Sequence, residues 1–497
     1  MSETATVKAS ARKSRRLLIG VVATIVLIAV AGLFWFFRSP PFTVASRLFV
    51  IEPYLQAAGD PDLKHRDVIW ASLDGKSPWM LEIQGTPGQW TAISPRKREV
   101  RLDGLPTFYI YDGEATQLPT GVAIPYRITC NNAQVFAATI NPLPRDGAPY
   151  RFAVVGDAAY GSEGAKRVAY ALYQSHSDLI LVAGDIVYRF GRVLEYLDHF
   201  FPVYNRERAS STEGAPLMRS TLMIAAPGNH DICISTPSDT PNLDQFSDAL
   251  AYFVLWKQPV DGPKLTINGA NTSLAQGFPA RVNAFLQAAG NSYPGMTNFS
   301  FNEGNSHWTI LDANPYMDWT NAELRRWLEN DLKSADNAQW KFVLFHQPAF
   351  NSDAYHGHEE RMRLVADIFQ RNHVDIVFAG HVHNYQRSLP LKFQVRNQPD
   401  GKPMSDAGEV DGSFIFDRKF DGITNKKPDG VLYIITGCGG AHLTGVQRQS
   451  HPEEWQPFTK KMISQFSFTQ CDVNGTHLSV NQITPSGAIL DHFEIEK

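Results

Sequence analysis

The chain has 497 residues, of which 43% are hydrophobic, 19% charged and 11% aromatic. Those proportions exclude a mainly disordered, collagen-like or coiled-coil chain, and at roughly 100–200 residues per domain the length suggests about two to four domains. Forty-six basic residues against 50 acidic give a net charge of −4, which argues against a general nucleic-acid binder.

The charge is unevenly spread. Residues 1–37 hold Lys8, Arg12, Lys13, Arg15 and Arg16 against Glu3 alone, a net of +4, which leaves −8 for the remainder. Residues 1–16 read as a basic tail. Residues 17–37, LLIGVVATIVLIAVAGLFWFF, form an uncharged run of 21 residues. A helix of that length spans roughly 30 Å, enough to cross a bilayer core. A cleaved signal peptide has a shorter apolar core followed by small residues, whereas this run ends in Leu33-Phe34-Trp35-Phe36-Phe37. The expectation is an uncleaved transmembrane signal anchor. Basic residues in front of it place the N-terminus in the cytoplasm and the body outside, in a single-pass protein of the cell membrane.

Ser39-Pro40-Pro41 falls in a stiff linker over residues 38–46. Over residues 47–145, short apolar runs at 67–73, 79–83, 99–102, 107–111, 124–129 and 133–140 are separated by turn signals such as Asp74-Gly75 and Asp103-Gly104. This spacing predicts an all-β sandwich, with no constellation of His, Cys or paired acids in it. After a Pro/Gly-rich boundary the pattern changes over residues 146–497. Strand candidates at 150–155, 178–183, 221–226, 307–312, 340–345 and 375–379 alternate with helix candidates at 164–176, 321–333 and 359–372. That alternation predicts an α/β domain. Polar stretches at 205–220 and 395–427 read as loop insertions. Cys130, Cys233, Cys438 and Cys471 lack the spacing of a zinc knuckle, and the sequence leaves buried thiols and disulfides equally open.

The strand ends carry the chemistry. The 150–155 strand runs into Gly156-Asp157, and 178–183 into Gly184-Asp185-Ile186-Val187-Tyr188. The 221–226 strand runs into Pro227-Gly228-Asn229-His230-Asp231, 340–345 into His346, and 375–379 into Gly380-His381-Val382-His383. Any one of these pairs alone reads as a turn or a helix cap. Five in order, all at carboxyl ends of strands in one α/β domain, can converge on one ligand site. Carboxylate, imidazole, amide and phenolate donors together suit Zn, Mn or Fe better than Mg or Ca.

The ordered set resembles the purple acid phosphatases of the metallophosphoesterase (calcineurin-like phosphoesterase) superfamily, whose pattern is GD-x-G, GD-x-x-Y, GNH-D/E, V-x-x-H and GH-x-H. Pro53-Tyr54-Leu55-Gln56 and Leu105-Pro106-Thr107-Phe108-Tyr109 are similar to the family's N-terminal fibronectin-like domain, so the likeness spans residues 47–497. It implies a four-layer αββα sandwich of α/β (α+β) class behind a fibronectin-III/Ig-like β-sandwich. It implies Fe(III) at Asp157, Asp185, Tyr188 and His383, and Fe(II), Zn or Mn at Asp185, Asn229, His346 and His381, with Asp185 bridging. His230 is expected to hold the phosphate and protonate the leaving oxygen. Asn229 and His356, ten residues after His346, are expected to contact substrate beside it. The implied reaction is that of an acid phosphatase, hydrolysing small phosphomonoesters by attack of hydroxide generated at the metals. A phosphodiesterase or nucleotide pyrophosphatase using the same metals is the nearest alternative. A catalytically silent ectodomain sensing metal or phosphate is the alternative of another class. Ala159, Asn384 and Gln386 depart from the family's usual residues without removing a ligand.

Overall fold

The computed structural model describes residues 41–57, 59, 61, 63–116, 118–145, 147–232 and 241–497. The expected tail at 1–16, the expected anchor at 17–37 and Cys233 lie outside the described residues. Among the described residues no helix is long and apolar enough to cross a membrane.

The first eight strands form two four-stranded antiparallel sheets. One runs Ile51–Gln56, Arg66–Ser72, Phe108–Ala115, Arg96–Val100 from edge to edge; the other runs Gln89–Ile93, Trp79–Thr86, Ile124–Cys130, Ala133–Ile140. Alternating burial along Trp79–Thr86 and Ile124–Cys130 marks strands with one face inward. The aromatic core holds Trp70 stacked on Tyr111 at 5.5 Å and tilted against Trp79 at 6.0 Å. Gln89–Ile93 is exposed at almost every residue, which is why hydrophobic pattern alone does not reveal it.

Two larger sheets follow. A six-stranded sheet runs Leu222–Ala226, Leu179–Ala183, Tyr150–Val155, Phe468–Asn474, His477–Ile483, Ile489–Glu496. Its first three strands are parallel and its last three antiparallel additions. A seven-stranded sheet runs Phe299–Glu303, Ser306–Ile310, Trp340–Leu344, Ile376–Ala379, Leu432–Thr436, Tyr385–Ser388, Thr459–Ile463, with four parallel strands in its centre. Inner-face residues interdigitate between the sheets: the Phe152 ring lies 4.9 Å from Trp308 and 5.2 Å from Phe342. The outer faces are buried too, so the central strands read as continuous apolar runs.

Helices cover those outer faces. Glu163–Gln174 starts at Ser162, whose hydroxyl accepts from the Ala165 N–H at 3.1 Å, and it buries Val168 and Leu172. Ala322–Ser334 starts at Asn321 and buries Leu324, Leu328 and Leu332, one stripe at four-residue spacing. The helix expected over 359–372 is shorter. It begins as a 3₁₀ turn at Arg361–Val365 and becomes α-helical only over Ala366–Arg371. Glu360 is held outside it, because its N–H donates to the Gly408 carbonyl at 3.2 Å and its carboxylate accepts from Val410 N–H at 2.8 Å. The two expected insertions have structure of their own. Asn205–Ser210 pairs with Gly214–Pro216, and Gly412–Phe416 pairs with Leu391–Val395.

The N-terminal sandwich shares one apolar cluster with the rest, including Tyr54, Ile69 and Phe108 against Phe201 and Trp256. Tyr54 Oη donates to Leu255 O at 2.6 Å, and Tyr126 Oη to Arg219 O at 2.9 Å. Residues 42–497 accordingly form one compact body. Cys130, Cys438 and Cys471 are free, buried thiols, and burial pushes the Cys438 thiol up to about 12.

Candidate metal centre

The parallel strands Tyr150–Val155, Leu179–Ala183 and Leu222–Ala226 are neighbours in one sheet, and Trp340–Leu344 and Ile376–Ala379 are neighbours in the other. Their carboxyl ends meet where the sheets face each other. Glycines make the approach possible. A Cβ at Gly184 would lie 2.5 Å from the His346 ring, at Gly380 2.4 Å from Ala183 O, and at Gly228 2.1 Å from Asp185 N. Three candidate site residues that each follow a glycine, Asp157, Asp185 and His381, take left-handed φ values of 58°, 49° and 68°. Such backbone costs on the order of 1–2 kcal/mol per non-glycine residue and concentrates at functional sites.

Asp231, which carries no ligand role, clasps the loops. Its carboxylate accepts from Ile186 N–H at 3.0 Å and Gly228 N–H at 2.8 Å, tying the segment of Asp185 and Tyr188 to that of Asn229 and His230. Burial, and then the nearby Asp185 charge, push its carboxyl up to about 7.

The donors gather in two halves around Asp185, which is 1% exposed. In one half, Asp185 Oδ1 lies 3.2 Å from His346 Nε2, Asn229 Oδ1 3.1 Å from the same nitrogen, and His381 Nδ1 3.3 Å from it. In the other, Asp157 Oδ1 lies 2.9 Å from Tyr188 Oη and 3.2 Å from His383 Nε2, with 3.3 Å between the last two. His381 N–H donates to Asp157 Oδ2 at 2.8 Å, joining the halves.

The outer ring nitrogens decide what these inner atoms are. His346 Nδ1 faces Ala183 O at 2.7 Å and His383 Nδ1 faces His442 O at 2.7 Å. A carbonyl only accepts, so both Nδ1 atoms carry hydrogen and, in the neutral rings, both Nε2 atoms present lone pairs inward. His381 Nε2 faces Glu359 Oε2 at 2.9 Å, which leaves its Nδ1 lone pair pointing at His346 Nε2. With both rings neutral, two imidazole lone pairs, a carboxylate and an amide oxygen converge on one point. A cation is what such a set fits, and nitrogen–oxygen donors of this mixture suit Zn, Mn or Fe.

Electrostatics agree. Burial alone would raise Asp185, yet the facing His346 and His230 outweigh it and hold the carboxyl far below its usual range. Burial would lower His346, but Asp185 wins and pushes it up to about 10, so without an ion a proton on Nε2 takes the place that a cation would fill beside Asp185. Burial, reinforced by Asp157 and Asp185, drives the Tyr188 phenol well above its usual value, so only a strong local positive charge could make it a phenolate.

His230 stands at the rim. Its N–H donates to Asp185 Oδ1 at 2.9 Å, its Nδ1 donates to Arg189 O at 2.7 Å, and its Nε2 is 3.9 Å from Asp185 Oδ2. His356 packs edge-on against His381 at 4.3 Å between ring centres, while His358 is exposed. Asn384 and Gln386 are buried and bonded to each other at 3.0 Å, and Gln386 also accepts from Ser352 N–H, so both serve the interior. Sequence reasoning missed Glu359, whose two oxygens reach His356 Nδ1 at 2.8 Å and His381 Nε2. An acid three residues after an expected contact was the available signal. It was hidden because two acids at 359–360 read as the first turn of a helix.

Comparison with known proteins gives the same direction. Residues 150–385 match the family described as calcineurin-like phosphoesterase, and residues 430–492 match iron/zinc purple acid phosphatase-like protein C. Purple acid phosphatase 23 of Arabidopsis thaliana is 26% identical over 259 residues, which is 50% of this chain and 49% of that protein. Purple acid phosphatase 18 of the same plant is 25% identical over 362 residues, 67% of this chain and 65% of that protein. The matched region thus spans about half to just under two thirds of the length of these curated relatives. In fold, the chain is similar to purple acid phosphatase PPD1 from yellow lupin (Lupinus luteus) seeds, with a TM-score of 0.60 at 17% identity, over 89% of this chain and 74% of that one. With its strand-end candidate ligands, its paired sheets and matches in both segments, the chain carries a calcineurin-like phosphoesterase region over residues 150–385 and resembles the purple acid phosphatases.

Proposed function

We propose that the protein is a metal-dependent phosphoric-ester hydrolase of the acid phosphatase type, acting on small phosphomonoesters. The observation that supports it most is the convergence of Asp185, Asn229, His346 and His381, both rings with an acceptor facing their outer nitrogen, beside the half-buried His230. Asp157, Asp185, Tyr188 and His383 would hold one ion, Fe(III) on the family pattern. Asp185, Asn229, His346 and His381 would hold the second, Fe(II), Zn or Mn. When bound, two such ions supply Lewis acidity toward phosphate and lower the pKa of water.

The protein's own groups do the rest. His230 Nδ1 is committed to Arg189 O, so Nε2 is the nitrogen free to exchange a proton with the leaving oxygen. That donation requires hydrogen on Nε2. Asn229 and His356 flank the position of the phosphate. Buried Asp157 and Asp185 keep anionic charge where cations must sit, on a body that is otherwise net acidic and so gives phosphate no general attraction.

The reading includes placement. Residues 1–16 form a cytoplasmic tail, 17–37 a membrane anchor and 38–46 a linker. A fibronectin-like domain at 47–145 and a catalytic domain at 146–497 follow on the extracytoplasmic side. What supports this is the uncharged 21-residue run behind five basic residues. One preparation of full-length chain tests both parts. It should sediment with membranes, resist alkaline extraction and cleave p-nitrophenyl phosphate at mildly acidic pH. Cleavage of bis(p-nitrophenyl) phosphate alone would replace the monoesterase with a phosphodiesterase. A metal-loaded but inactive protein would favour a sensor, and release by alkali would remove the anchor.

A further inference from the structure

Glu359, a carboxylate outside the proposed ligand set, touches two histidines of the site at once, through Oε1 to His356 Nδ1 at 2.8 Å and through Oε2 facing His381 Nε2 at 2.9 Å. It bears none of the roles assigned above. We propose that Glu359 is a positioning residue that sets the tautomers of His381 and His356 together, and so couples the second metal half to the substrate-facing histidine. The inference rests on reading the site as a metal centre.

The argument is one of donors and acceptors. An ionised carboxylate only accepts, so each nitrogen facing it must carry hydrogen. For His381 the contact is a 2.9 Å approach without hydrogen-bond alignment, yet two lone pairs cannot face each other at that distance, so hydrogen sits on Nε2 and the Nδ1 lone pair points toward His346. For His356 it fixes hydrogen on Nδ1 and leaves Nε2 as the nitrogen available to an incoming phosphate. The two rings pack at 4.3 Å, so neither can turn without moving the other. The other inner histidines are fixed by main-chain carbonyls of Ala183 and His442, which substitution does not remove. Only His381 depends on a side chain for the same service, and outer partners of this kind govern the affinity of the metal they support.

Glu359 itself is held from outside. The next residue, Glu360, accepts from Val410 N–H at 2.8 Å, and its own N–H donates to Gly408 O at 3.2 Å. Arg363 Nη1 pairs with Glu360 Oε1 at 2.7 Å and donates to Val410 O at 3.3 Å. The polar insertion over residues 395–427 therefore clamps the segment that carries Glu359, which gives it a consequence for the site without touching it.

Glu359→Gln is the test. Gln keeps the size but offers one acceptor and one donor, so it can satisfy only one of the two rings. Full-length protein is titrated with Zn(II) against a chelator, with Mn(II) as a second probe, and kinetics are measured at saturating metal. The expected result is a loss of about 10–100-fold in affinity for the more weakly held ion, the usual scale for an outer partner of a ligating histidine. At saturating metal, kcat/KM should fall as well. His356→Ala should lower kcat/KM alone, and the double variant should fall no further than Glu359→Gln in kcat/KM. Glu359→Asp, which keeps two acceptors, should recover part of the metal affinity. Metal affinity within twofold of the parent in a folded Glu359→Gln protein overturns the proposal, as does full additivity with His356→Ala. Should Glu359→Gln fail to fold, metal titrations of Glu359→Asp and Glu359→Ala decide: an Asp variant that binds metal no better than the Ala variant overturns it. If the parent chain binds no metal at all, it is the metal-centre reading that fails.

Discussion

The two halves of the metal centre are built from similar donors but supported differently. In the Tyr188 half, His383 leans on the main chain at His442, and Tyr188 is walled by the rings of Tyr160 at 5.1 Å and His230 at 4.6 Å. In the His346 half, His381 leans on Glu359, a side chain on a segment clamped by an insertion. Main-chain carbonyls support His383 and His346, the first from a loop and the second from a strand, whereas His381 faces a side-chain carboxylate. The His346 half is therefore the one whose support a single substitution can remove.

Breaking what the halves share should cost most. Asp185→Asn removes the carboxylate common to both and leaves His346 and His230 without their charge partner. Loss of both ions by elemental analysis is expected, with activity down at least ~10³-fold, the scale of removing a main electrostatic element. Retention of two ions per chain would show that Asp185 does not bridge. His230→Ala comes next, with turnover lowered by about 10²–10³-fold, within the range of general acid catalysis, at unchanged metal content. If metal content falls as well, His230 belongs to the metal shell and not to the leaving-group side. Tyr188→Phe is the mildest. Burial and Asp157 keep this phenol protonated unless a highly charged ion sits beside it. A broad visible band near ~550 nm in the parent, assigned to a tyrosinate–iron pair on the family pattern and lost in the variant, would place Fe(III) in this half; activity should drop only about tenfold, or ~1.4 kcal/mol. A colourless, fully active parent with two Zn or Mn ions would leave the hydrolase intact and remove the ferric assignment.

Much of the architecture could be read from residues because local signals agreed. Apolar runs ending in Gly-Asp, Gly-Asn-His and Gly-His mark buried parallel strands, and these are the ones that meet at the site. Ile51–Gln56 escaped because Pro53 interrupts it, and the three antiparallel strands from Phe468 to Glu496 because nothing local says which sheet they extend. Within the site, the motifs bring out the candidate ligands but not their supports. Asp231 and Glu359 act across 45 and 22 residues of chain, through contacts that no spacing rule encodes.

The glycines at 184, 228 and 380 contribute by what they lack. Each leaves space that another loop's ligand or backbone fills, closer than any side-chain carbon would permit. For anyone building a variant library, the positions without a functional group are the ones to hold constant. Diversity is better spent on the insertion at 395–427 and on exposed Tyr355 and His358, of which Tyr355, 78% exposed, already stands beside His356.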